Sequence, residues 1–145
     1  MSPSKILCPV DGSPASLRAV DFAIEQLDRS PGSELLLLHV LHMGSIDLGG
    51  LSEAMPAGWL DEATSQASAE AMNDAISKCD SAGVSFKAHS RTGQTAETIK
   101  QVATEEDVGH IVMGSRGLGS FEGLLLGSVA TRVIHLTELP VTLVK

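Results

Sequence analysis

Apolar residues are concentrated in five short runs, separated by stretches in which apolar positions recur at helical spacing. The runs are KILCPV (5–10), ELLLLHV (34–40), SFKAHS (85–90), HIVMG (110–114) and VTLVK (141–145). Short apolar runs bounded by turn residues are typical of strands, whereas apolar residues three or four positions apart predict amphipathic helices. The pattern therefore predicts strands and helices in strict alternation along the chain.

Four helices follow from that spacing. Their apolar positions are Leu17, Val20, Ile24 and Leu27; Ala69, Met72, Ile76 and Cys79; Ala96, Ile99 and Ala103; and Val129, Val133 and Leu136. Ser13 followed by Pro14 is a helix start signal. Gly32 and Gly83 each stand between a helix and the next strand, as glycines that end helices do, and Pro140 ends the last helix.

Alternating strands and crossover helices predict a parallel sheet. The run 34–40 is almost continuously apolar, which favours a strand buried on both faces, whereas 85–90 is the least apolar run and suits a sheet edge. We therefore predict a single α/β domain over 1–145. Its fold is a doubly wound, Rossmann-like, five-stranded parallel sheet of order 3-2-1-4-5 with helices on both faces.

Composition limits the classes of partner. The 145 residues are 43% hydrophobic and 19% charged, which is globular composition, and the formal net charge of -8 disfavours nucleic acids and anionic membranes. A small phosphorylated ligand stays open, because backbone N–H groups bind phosphate without net positive charge. Cys8 and Cys79 are predicted to be free thiols. The absence of a signal-like segment or a membrane-length apolar run favours a cytoplasmic protein without membrane insertion.

The stretch GSRGLGSFEGLLLGS (114–128) is unusually rich in glycine. In the predicted order, strands one and four end on either side of the point where the strand order reverses, which is where open α/β sheets bind ligands. Glycine lets backbone amides approach a ligand closely, and Gly127–Ser128 opens the fourth helix, whose N–H groups favour phosphate. Asp11 ends the first strand opposite, so the sequence predicts an oligophosphate site here.

Other phosphate-binding patterns do not fit. The chain has no G-x-x-x-x-G-K-[ST] and no G-x-G-x-x-G after its first strand, and Asp11 has no acidic neighbour of the kind a receiver domain needs. The long connection 41–58 is either a surface excursion or a lid beside the crevice.

The chain resembles the universal stress proteins over nearly its whole length. The similarity is carried by KILCPVDGSPAS, ELLLLHV, GQTAETI, HIVMGSRG and LLLGSVATRVIHLTELPVTLV, and G-x-x-G-x9-G-[ST] is the mark of the family's ATP-binding branch. The resemblance implies that ATP, with Mg²⁺ or another divalent cation held mainly by its phosphates, is bound by Pro9, Asp11, Val40, Met113, Gly114, Arg116, Gly117, Gly127, Ser128 and Val129.

The implied roles differ among these residues. Pro9 would shape the turn against the base, Val40 would read the adenine edge through its backbone, and Asp11 would contact the ribose. Met113 and Gly114 would lie along the nucleoside, and Gly117, Gly127, Ser128 and Val129 would hold the phosphates. Arg116 stands at a position of variable type, and a solvated loop cation is the alternative.

Ala130 departs from members that carry Ser or Thr there, and Thr131 would point elsewhere. The resemblance also implies a homodimer through the final strand, 141–145, and a further protein partner that stays unidentified.

Catalytic residues are not predicted. His39 and His110 fall in strands and are interpreted as packing residues, whereas His42 and Glu122 border the expected crevice. Three functions therefore stay open: an ATP-binding regulatory module of the stress response, a slow ATPase using the same pocket, and a dimeric scaffold without nucleotide.

Overall fold

A computed structural model describes residues 4–42, 59–117 and 125–145. Within these ranges, five strands and four helices alternate. The strands are β1 (Lys5–Pro9), β2 (Glu34–His42), β3 (Phe86–Gly93), β4 (His110–Gly114) and β5 (Val141–Val144). The helices are α1 (Pro14–Asp28), α2 (Trp59–Ala82), α3 (Thr95–Glu105) and α4 (Ser128–Leu136). All nine predicted elements are thus confirmed, with shifts of a few residues at their ends.

The sheet is parallel throughout, in the order β3-β2-β1-β4-β5. The predicted order is confirmed, and β3 lies at an edge as its low apolar content predicts. Successive residues of a strand face opposite sides of the sheet, so Leu36 and Leu38 belong to one core cluster and Leu35 and Leu37 to another. The continuous apolar run of β2 therefore serves both faces.

Each face of the sheet is covered by two of the described helices. Buried residues of α1 and α2 pack with alternate strand residues in one cluster, and those of α3 and α4 pack in the other. The fold is therefore a doubly wound α/β sheet, and both core layers are built mainly from Leu, Ile, Val and Ala.

The predicted helix boundaries have the expected local chemistry. Ser13 caps α1: its hydroxyl accepts the backbone N–H of Ser16 at 3.2 Å, and Pro14 begins the helix. Gly32 and Gly83 have φ of +87° and +70°, a left-handed conformation that favours glycine. These signals set where each helix ends and so where each strand begins.

Candidate functional site

A cavity of about 400 Å³ opens at the carboxyl ends of the strands, between the ends of β1 and β4. Neighbouring strands β1 and β4 connect to opposite sides of the sheet, so this is the switch point at which open α/β sheets bind ligands. Its volume lies within the range of about 300–1,000 Å³ typical of small-molecule sites. The structure brings all ten residues named from the sequence to its lining: Pro9, Asp11, Val40, Met113, Gly114, Arg116, Gly117, Gly127, Ser128 and Val129.

The start of α4 forms one wall of the cavity. Gly127 is the cap residue and offers no side chain to the first N–H groups of the helix. Its own N–H donates to the carbonyl of Ser115 at 2.6 Å, and its carbonyl accepts from the Thr131 N–H at 3.0 Å. This wall therefore presents helix N–H groups that no capping side chain occupies, an arrangement that favours an anion.

Gly117 allows the closest approach in the lining. A Cβ at this position would lie 2.5 Å from Oδ2 of Asp11, a distance that real Cβ atoms essentially never show. Gly114 is also tight, because its Cβ would lie 3.0 Å from the backbone carbon of Ala15 and the nitrogen of Ser16. Two of the motif glycines therefore make room for neighbouring groups at the cavity.

Asp11 brings a carboxylate into this lining. Its Oδ1 accepts the backbone N–H of Ser13 at 2.8 Å, which fixes the side chain at the start of α1. Its Oδ2 is the atom that a Cβ at position 117 would approach most closely. The carboxylate is thus held between the first helix and the glycine loop.

Both strand histidines have a side-chain hydrogen-bond partner, as expected of packing residues. His39 is buried and shares a hydrogen bond of 2.9 Å between Nδ1 and the Ser68 hydroxyl. His110 Nε2 shares one of 2.7 Å with the Thr142 hydroxyl. Burial lowers the pKa of both imidazoles, and for His39 the nearby charge of Asp11 opposes the shift without reversing it. Both rings are therefore neutral at pH 7.

His39 also borders the cavity, a position that its strand pattern did not predict. His42 lines the cavity too, in an exposed position at the end of β2. Thr131 is not among the lining residues, and its hydroxyl donates back to the Gly127 carbonyl at 2.9 Å. The connection predicted over 41–58 was placed too early, because Leu41 and His42 belong to β2. Its remainder, 43–58, and Glu122 lie outside the described residues.

Ser115 is a further residue of the lining that the sequence reasoning missed. It directly follows β4 and is only 3% exposed, and its hydroxyl has no hydrogen-bond partner. Its position between Gly114 and Arg116 in the glycine-rich stretch was the available signal. Thr95, at the start of α3, was missed in the same way.

Cys8 and Cys79 are free and buried in the same core cluster. Burial is the main cause that raises the pKa of both thiols, that of Cys79 to about 11, so neither is a thiolate at neutral pH.

Within the described ranges, no group of three or more His, Cys, Asp or Glu side chains could hold a metal ion. No helix in those ranges has the length and apolar character that a membrane crossing requires.

Comparison with known proteins identifies relatives over the whole length of the chain. A model of the universal stress protein family matches residues 3–145. Universal stress protein YxiE of Bacillus subtilis is 31% identical over 147 residues, covering 98% of this chain and 99% of the relative.

Solved structures share the fold. The hypothetical protein MJ0577, the subject of a structure-based functional assignment, superposes with a TM-score of 0.81 at 28% identity, covering 100% of this chain and 97% of that one. A universal stress protein in complex with cAMP gives 0.72 at 23% identity, covering 100% and 99%. The universal stress protein from Archaeoglobus fulgidus in complex with dAMP gives 0.61 at 24%, covering 100% of both chains.

Proposed function

The chain belongs to the universal stress protein family, and from that premise we propose that it binds ATP in the cavity at the switch point and acts as a nucleotide-dependent regulatory module in the stress response. The observation that carries the proposal is the meeting of three features in one cavity. These are the start of α4 without a capping side chain, the close approach of Gly117 to Asp11, and a volume suited to a nucleotide.

The phosphates would occupy the wall made by α4. Gly127, Ser128 and Val129 line it, and helix N–H groups together with the dipole favour negative charge there. Among the described residues that line the cavity, Arg116 is the one whose side chain is a lysine or arginine, and it would add a positive charge. Because Asp11 is also present, a divalent cation held mainly by the phosphates would offset its repulsion of the ligand.

The nucleoside would occupy the part of the cavity lined by the ends of the strands. Pro9, Val40 and Met113 are apolar there, and apolar walls with a few polar groups are typical of sites for small organic ligands. Two proteins of this fold bind the adenine nucleotides cAMP and dAMP. Both are monophosphates, so they support adenine recognition, and the preference for ATP depends on the glycine spacing and the α4 wall.

A regulatory role is supported by the connection between the cavity and β5. The backbone N–H of Ser115 donates to the carbonyl of Val144 at 2.8 Å, immediately beside the cavity lining. The edge strand β5 is where we propose a homodimer, through 141–145. A ligand that moves the 115–117 segment would thereby change the position of β5 in the proposed dimer interface. A protein partner would recognise the changed dimer. We place this activity in the cytoplasm.

A slow ATPase using the same pocket is the second candidate. It would require a base near the phosphates, and Asp11 is the carboxylate that the cavity offers among its described residues. A dimeric scaffold without nucleotide is the third candidate. It does not explain why Gly117 lies against Asp11 or why α4 begins without a capping side chain.

The direct test is to denature the purified protein, identify any released nucleotide by mass spectrometry, and titrate the nucleotide-free protein with Mg-ATP by calorimetry. Released ATP or saturable binding supports the proposal. An empty protein that also fails to bind Mg-ATP would leave the scaffold as the better function. Steady release of inorganic phosphate that disappears in Asp11→Ala, with binding retained, would favour the ATPase.

A further inference from the structure

Ser115 has a buried hydroxyl that the protein itself leaves without a hydrogen bond. The residue is 3% exposed, and Oγ is shielded from water and has no partner. One other buried side-chain atom in the described residues shares this condition, Nε2 of His89 on the edge strand β3, away from the cavity lining. Buried polar groups are nearly always paired, so each exception calls for a cause.

The other buried serine hydroxyls of the described residues have hydrogen-bond partners. Ser13 Oγ accepts the Ser16 N–H at 3.2 Å, and Ser16 Oγ donates to the Ser13 carbonyl at 2.9 Å. Ser68 Oγ shares a hydrogen bond of 2.9 Å with Nδ1 of His39. Local packing therefore gives a partner to each of these buried hydroxyls, whereas Ser115, which lines the cavity, has none.

The backbone of Ser115 is fixed on both sides. Its N–H donates to Val144 at 2.8 Å, and its carbonyl accepts from Gly127 at 2.6 Å. The hydroxyl keeps one degree of freedom, rotation about χ1 among staggered positions. It can therefore turn toward a molecule in the cavity without breaking either backbone hydrogen bond.

We propose that the Ser115 hydroxyl is a ligand-binding group, which donates a hydrogen bond to an anionic oxygen held at the start of α4. Two independent observations meet here: a helix start without a capping side chain, and an unpaired buried donor beside it. The inference rests on the proposed nucleotide site and deepens it, since it names a phosphate oxygen as the atom recognised. A donor to a charged oxygen makes a stronger bond than one to a neutral acceptor.

This assignment predicts that one substitution weakens ligand binding without lowering the stability of the ligand-free protein. Ser115→Ala should weaken the binding of Mg-ATP and of inorganic tripolyphosphate about tenfold, the loss expected for one hydrogen bond to a charged group. The same change should leave the urea midpoint of the ligand-free protein unchanged or raise it, because an unpaired buried donor is removed.

Ser16→Ala is the matched control. It also removes a buried serine hydroxyl from the cavity lining, but one that has a partner, so it should lower the urea midpoint. Calorimetry of both variants with both ligands, and urea unfolding of both without ligand, complete the comparison.

Each outcome decides the inference. It is overturned if Ser115→Ala binds both ligands as tightly as the unsubstituted protein, or lowers the midpoint as Ser16→Ala does. If the unsubstituted protein binds tripolyphosphate but not ATP, and Ser115→Ala weakens that binding, the inference stands and the nucleotide proposal fails. If it binds neither ligand, both fail together.

Discussion

Gly117→Ala adds a single methyl group at the closest contact of the cavity lining. The new Cβ would lie 2.5 Å from Oδ2 of Asp11. Neither Gly117 nor Gly109, which serves below as a control, is among the glycines with positive φ, so alanine fits both backbones without strain. The substitution therefore tests one contact and not the backbone conformation.

The size of the effect follows from the distance. Ordinary contact for a Cβ begins at 3.4 Å, so the Asp11 carboxylate must retreat by about 0.9 Å, or the glycine loop must move by as much. The carboxylate is tied to the Ser13 N–H at 2.8 Å, and a shift of that size breaks or strongly weakens this bond. We expect a loss of about 1–2 kcal/mol in folding stability and about a tenfold loss of affinity for Mg-ATP.

Urea unfolding and calorimetry of four proteins form a double-mutant cycle: the unsubstituted chain, Gly117→Ala, Asp11→Ala and the double variant. Once Asp11→Ala has removed the carboxylate, the methyl group has nothing to displace, so Gly117→Ala should cost nothing further in stability. Gly109→Ala is the control, because its Cβ would meet only Ser4 Oγ at 3.7 Å, an ordinary contact.

The reasoning would be refuted by either of two results. One is a Gly117→Ala protein that binds Mg-ATP and unfolds like the unsubstituted chain. The other is an equal cost of the methyl group with and without Asp11, since the effect would then come from the loop itself and not from the carboxylate.

Two further predictions concern the dimer edge and acid stability. Leu143→Asp, in the middle of β5, should convert the proposed homodimer to a monomer in sedimentation, and an unchanged profile from a variant that circular dichroism shows to be folded would count against this interface. Folding lowers the pKa of His39 below its usual 6.5, so the unfolded chain takes up the proton first and stability falls as the pH drops below 6.5. His39→Gln should make the urea midpoint less sensitive between pH 7.5 and pH 5, and an unaltered slope would assign the acid response to other groups.

Most of the fold could be predicted because its signals are local. The N-cap at Ser13 and the helix ends at Gly32 and Gly83 depend on neighbouring residues alone, and they bound the strands. The end of β3 was predicted too early, because Arg91 and Thr92 give no apolar signal. They are strand residues through their pairing with Val40 and Leu41 of β2, which only the assembled sheet supplies.

The same distinction between local and tertiary signals separates the predicted from the missed residues of the cavity lining. The ten residues predicted to hold ATP all lie there because strand ends and glycine spacing fix backbone positions, and a site built from N–H groups needs little else. The contacts of His39 with Ser68, 29 residues away, and the unpaired hydroxyl of Ser115 depend on tertiary packing, so no spacing rule predicts them. An acidic chain can therefore bind an anion, because helix N–H groups supply the attraction that its net charge does not. The side chains that the sequence could not place, Ser115 above all, are therefore where the ligand preference of this chain would be set.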